Sequence, residues 1–118
     1  MVMTRCWRSS ALFSLTLLIL TSYHADPPKV LVFSKTKGWV HSSIPYGNKA
    51  LLKLGQANGF QVDTTQNAEL FTDDHLKQYQ AVIFNSTTGN VLNAEQQAAF
   101  ERYIQAGGGF VGIHSAAD

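Results

Sequence analysis

Four short strand-like runs, spaced by helix-like stretches, constrain this chain more than any other feature. Val30-Leu31-Val32-Phe33 and Ala81-Val82-Ile83-Phe84 are continuous and apolar, the pattern of strands buried on both faces. Phe110-Val111-Gly112-Ile113 repeats it, while Phe60-Gln61-Val62-Asp63 alternates apolar and polar, as a strand near a sheet edge does. From Ser43 to Asn58 the spacing is helical: Gly47, Leu51, Leu54 and Asn58 share a stripe, Pro45 fits the first turn and Gly59 is a stop. Thr72 is placed to cap a short helix running to Tyr79. Asn93 and Gln96 form a capping box for a further helix, with Phe100, Tyr103, Ile104 and Gly107 inward. Buried strands alternating with helices predict βαβ units, hence an α/β fold with a parallel sheet covered by helices on both faces. No helix pattern follows the fourth strand, so the expectation is the N-terminal part of a larger domain, marginal when expressed alone.

Composition narrows the class. The 118 residues are 45% hydrophobic and 14% charged, which suits a globular chain and excludes a disordered or collagen-like one. Nine Lys+Arg against eight Asp+Glu give no basic field for nucleic acid. The single cysteine, Cys6, excludes an internal disulfide framework and a Cys-rich zinc site. It stands inside residues 1–25, which read as a signal peptide: Arg5 and Arg8 precede an uncharged run from Ala11 to Ser22, and cleavage falls after Ala25. That run is secretory length, since a spanning helix needs roughly 20 apolar residues. A secreted or periplasmic domain over residues 26–118 follows; bulky Tyr23 at the −3 position leaves an uncleaved, membrane-tethering signal anchor as the alternative.

In open α/β sheets, ligands bind beyond the carboxyl ends of the strands, at the switch point of the strand order. Three segments of this chain end there: the loop from Ser34 to Ser43, the loop from Asn85 to Asn90, and His114-Ser115. Ser, Thr and Gly in such loops serve turns and helix caps, or hold substrate hydroxyls. Trp39 is either a stacking platform or a loop-packing aromatic. Gly112-Ile113-His114-Ser115-Ala116 has the small residues of a tight strand-to-helix elbow that exposes one side chain above the sheet. The class I glutamine amidotransferases carry cysteine at that place; here it is His114, so thiol-based amide hydrolysis is excluded. Histidine there can act as acid or base, ligate a metal or bond a substrate. His41 is expected at the same edge. Two imidazoles without a third ligand do not make a zinc site, and Asp118 has no readable direction. The expectation is therefore no cofactor, with a divalent metal the less favoured reading.

Three segments together carry a resemblance: Phe33 to Ile44, Phe84-Asn85-Ser86-Thr87-Thr88-Gly89, and Gly107 to Asp118 with its Gly-Gly-Gly-Phe-Val-Gly-Ile-His run. From about Lys29 onward the chain resembles the ThuA-like, trehalose-utilisation family. The resemblance implies a flavodoxin-like fold related to the class I glutamine amidotransferases, and a role in bacterial sugar metabolism. It also implies fusion, in longer proteins, to cytochrome c or sugar dehydrogenase domains. The family motif often has Asp where this chain has Ser42.

These readings place a small-molecule carbohydrate, an oxidised keto-sugar included, at the carboxyl edge. His114 is the candidate acid/base, assisted by His41 and Ser115. Lys35, Trp39, Asn85, Ser86 and Thr87 are candidate substrate-binding residues. Two other classes stand beside this one. The domain could be a non-catalytic sugar-binding module of a larger quinoprotein or cytochrome c oxidoreductase. It could also be a flavin carrier, since Ser34-Lys35-Thr36-Lys37-Gly38 faintly resembles a flavodoxin phosphate loop.

Overall fold

The computed structural model describes residues 25–116. The expected signal peptide, apart from Ala25, and Asp118 lie outside the described residues. Strand β1 (Lys29–Phe33) leads to helix α1 (Ile44–Asn58) and strand β2 (Gln61–Thr65). After a 3-10 turn (Ala68–Leu70) come helix α2 (Asp73–Leu76), strand β3 (Ala81–Asn85), helix α3 (Ala94–Gln105) and strand β4 (Gly109–Ile113). The sheet is parallel in every pairing, in the order β2-β1-β3-β4. Val30 to Phe33 pairs in register with Ala81 to Phe84, so the two most apolar runs are the central strands. The chain therefore reverses its direction of strand addition between β1 and β3, which creates the switch point.

Local chemistry accounts for the helix ends. The Asn93 side chain accepts from the Gln96 amide at 2.9 Å while the Gln96 side chain accepts from the Asn93 amide at 3.0 Å, completing the expected capping box. Thr72 caps α2 by accepting from the His75 amide, and that helix ends at Leu76, short of the expected Tyr79. Gly59 closes α1 at φ 73°, a left-handed conformation that glycine adopts without steric penalty.

Strand alternation divides the core between the two faces. Leu31, Phe33, Val82 and Phe84 pack with Phe71, Leu76 and Tyr103 on the α2–α3 face. Tyr79 joins this cluster and its hydroxyl donates to Asp63 at 2.9 Å; burial first, then that bond, pushes the phenol up to about 12.

On the other face α1 lies against β2 and β3 on part of the expected stripe: Gly47 meets Asn85 and Leu51 is half-buried, but the outer half of the stripe is displaced. Ile44 and Gly55 are buried, while Leu54 is 52% exposed and Asn58 is also exposed. The reason is close approach: a Cβ on Gly55 would stand 2.7 Å from the Phe60 carbonyl oxygen and 2.8 Å from Val62 Cγ2. On α3 Tyr103 is buried and Phe100 packs against the core as expected, joined by Gln96 and Ala99, while Ile104 is exposed. The β4 run, which reads as a buried strand, is an edge with Phe110 49% and Val111 47% exposed.

A Gly55→Ala change tests the α1 contact. Alanine gains about 1 kcal/mol of helix propensity, whereas overpacking costs about 1–3 kcal/mol. Backbone contact removes the easy relief, so net destabilisation is expected, read as a melting temperature several degrees lower. An increase would show that α1 can move off β2.

Candidate functional site

The loop after β1 and the loop after β3 are welded across the switch point. Thr36 bridges Thr88, and the Lys37 amide donates to the Thr88 carbonyl at 2.8 Å. The Thr88 hydroxyl accepts from the Gly38 amide at 3.2 Å and donates to the Trp39 carbonyl at 2.9 Å. This buried threonine thus fixes the backbone just before His41. Sequence reasoning did not single it out, because one hydroxyl in a Ser/Thr-rich loop carries no local mark of such a role.

Strands β3 and β4 leave the sheet in the same way. Ser86 and His114, each one residue past its strand, have φ of 55° and 58°. These are the left-handed values that side chains other than glycine rarely adopt, and such strain clusters at functional sites. The Ser86 amide donates to the Ile113 carbonyl at 3.1 Å, tying the two turns together. Gly112 permits the second turn to fold back, since a Cβ there would lie 3.2 Å from Ala116 Cβ. The expected elbow is therefore present, and it leaves His114 exposed above the sheet.

His41, half-buried on the β1 loop, meets His114 with ring centres 4.5 Å apart at an interplanar angle of 75°. Neither ring has a hydrogen-bond partner among the described residues. Both imidazoles are thus able to donate, accept or carry a proton. Beside them, the Ser115 hydroxyl is buried without a partner among the described residues. Trp39 is 75% exposed on the same loop, and Lys35 is half-buried. Among the described residues no three His, Cys, Asp or Glu side chains gather to hold a metal.

Asn85, Ser86 and Thr87 lie elsewhere in the arrangement. They are only 2–3% exposed, and their side chains are used internally. The Asn85 amide donates to the Ile44 carbonyl and, at 2.9 Å, to Asn48 Oδ1; a Cβ on Gly47 would sit 2.7 Å from its nitrogen. Ser86 donates to Asn85 Oδ1, and Thr87 to the Ala116 carbonyl. On the far side of β1, Ser34, Asn48, Thr64, Thr65 and Gln66 line a small polar cavity of about 170 Å³.

The groups whose acidity is displaced stand away from this edge. Arg102, by hydrogen bond and charge, holds the Asp73 carboxyl below its ordinary value. Burial raises the Tyr103 phenol at the start of β4, where its hydroxyl donates to the Tyr79 and Gly109 carbonyls.

A parallel sheet in this order, with helices on both faces and an imidazole-bearing elbow at its carboxyl edge, defines a flavodoxin-like α/β domain. The family model of ThuA, described as trehalose utilisation, matches residues 29–118, and the chain belongs to that family. A crystal structure of a ThuA-like protein from Bacteroides uniformis ATCC 8492 is similar at 28% identity with a TM-score of 0.63. The match covers 82% of this chain and 40% of that one, so the chain spans well under half of the solved protein. No curated protein matches the chain.

Proposed function

We propose that this chain is an exported carbohydrate-utilisation domain that takes a sugar or keto-sugar at the carboxyl edge of its sheet. The family supports the substrate class. The observation that carries the site is the His41–His114 pair, held at 4.5 Å by a strained elbow and a welded loop. Next to a sugar carbonyl, the neutral His114 imidazole takes the proton from the adjacent carbon, and His41 donates to the oxygen that gathers charge. A positioned histidine contributes about 10²–10⁴-fold to such a step. Trp39 offers a face to the apolar side of the ring, and Lys35 a donor to its oxygens. Asn85, Ser86 and Thr87 shape the floor instead of touching the sugar. Ser115 supports His114.

The test is exchange of sugar C–H for deuterium, followed by NMR with the full chain and a panel of aldoses, ketoses and trehalose. Asparagine tolerates the left-handed backbone, so His114→Asn keeps the elbow while removing the base. Exchange is expected to fall at least about 100-fold in that variant with sugar still bound. Binding that weakens with no exchange in either protein would favour the non-catalytic module. Exchange unaffected by the substitution would overturn the assignment of His114.

A further inference from the structure

The distribution of charge at the carboxyl edge points to the kind of sugar. The acidic residues among those described are Asp26, Asp63, Glu69, Asp73, Asp74, Glu95 and Glu101. None lies in residues 34–43, 85–92 or 113–116, the segments around the His41–His114 pair; the acidic residues that follow strand ends elsewhere are Glu69, Asp73 and Asp74 after β2 and Glu95 in the first turn of α3. The first turn of α1, which begins beside His41, holds none either. The same segments carry Lys35, Lys37, His41 and His114.

Three of the acidic groups are also paired elsewhere. Asp63 pairs with Lys29, Asp74 with Lys77, and Asp73 with Arg102, while Lys35 and Lys37 take part in none of the ion pairs seen among the described residues. Lys37 is exposed, and its backbone is pinned to Thr88 on this edge. A neutral sugar needs no such asymmetry, and sites for neutral hydroxyls can use acidic acceptors as readily as donors. A stretch of edge whose described residues bring two lysines, two imidazoles without hydrogen-bond partners and no carboxylate is suited to donate to negative oxygen.

From this we infer that the carbohydrate taken by this domain is anionic, carrying a carboxylate or a phosphate ester that Lys35 and Lys37 hold beside the His41–His114 pair. The inference rests on the sugar reading above for the neutral part of the ligand only. The same donors that hold the anion would also favour charge gathering on an adjacent carbonyl oxygen.

The experiment titrates the full chain by calorimetry with glucose, gluconate, glucose 6-phosphate and inorganic phosphate. Gluconate or glucose 6-phosphate is expected to bind at least about tenfold more tightly than glucose, the scale of one charge-assisted hydrogen bond. The stronger of the two identifies the anionic group. That preference is expected to vanish in a Lys35→Gln, Lys37→Gln double variant and to shrink as salt rises from about 50 to 300 mM. Glucose binding as tightly as its anionic relatives would overturn the inference and leave the sugar reading intact. Phosphate binding with no response to any sugar would overturn both the inference and the sugar reading. A preference unchanged in the double variant, or no binding by any of the four, would overturn it.

Discussion

Replacing Phe33 with alanine is expected to cost about 3–5 kcal/mol, the usual range for a buried phenylalanine. Phe33 is fully buried, its ring centre 4.6 Å from that of Phe71 and 5.2 Å from that of Phe84. Those two rings go on to Phe100, at 5.6 and 5.4 Å, and Phe84 and Phe100 both reach Phe110. One aromatic cluster thus joins β1, β3, α3, β4 and the segment before α2. Each tilted or edge-on pair adds about 0.5–1.5 kcal/mol beyond area burial. A void at Phe33 cannot close easily, because its neighbours are fixed by one another and by the sheet. Against a total stability of about 5–15 kcal/mol, the variant should unfold at far lower urea or fail to fold. Leu54→Ala is the companion measurement. Leu54 is 52% exposed, so its truncation should cost under about 1 kcal/mol. Equal losses at the two positions would mean that α1 turns Leu54 toward the sheet.

The contrast between these residues shows where sequence patterning is sufficient. The Asn93–Gln96 box, the Thr72 cap and the Gly59 stop were legible because each is completed within a few residues of chain. Strand identity was legible because two-faced burial demands continuous apolar runs. The inward faces of α1 and α3 were less so. A helix turns about 100° per residue, so neighbouring stripes compete, and the choice falls to tertiary contact. Gly55 wins on α1 because only a residue without a side chain fits against Phe60 and Val62.

At the site, His114 on an elbow followed from Gly112 and Ala116 alone. Its contact with His41 did not, since that depends on how the β1 loop crosses to β3. The burial of Asn85, Ser86 and Thr87 was equally hidden. Polar loop residues read as surface, but here they satisfy one another and the neighbouring backbone across the switch point.

That crossing is the basis for the expected behaviour of Thr88→Val. Valine keeps the shape and β-branching but removes the hydroxyl, leaving the Gly38 amide and the Trp39 carbonyl without their partner. The backbone bond from Lys37 to Thr88 survives, so β1 and β3 stay paired and the fold persists. Stranding polar groups costs about 1–3 kcal/mol where burial is complete. Gly38 and Trp39 are exposed, so water replaces part of the loss and about 1–2 kcal/mol is expected. The larger consequence is local. Released from Thr88, the segment from Gly38 to His41 opens without global unfolding, a low-energy event confined to one loop. Protection of the Gly38 amide against hydrogen exchange should fall while that of the central strands remains. The His41 ring should lose its fixed approach to His114, visible as altered imidazole resonances of both. Sugar binding should weaken with them. Thr88→Ser retains the hydroxyl and should restore Gly38 protection despite the missing methyl group. A valine variant with Gly38 protection and both histidine resonances unchanged would show that the backbone bridge alone positions His41.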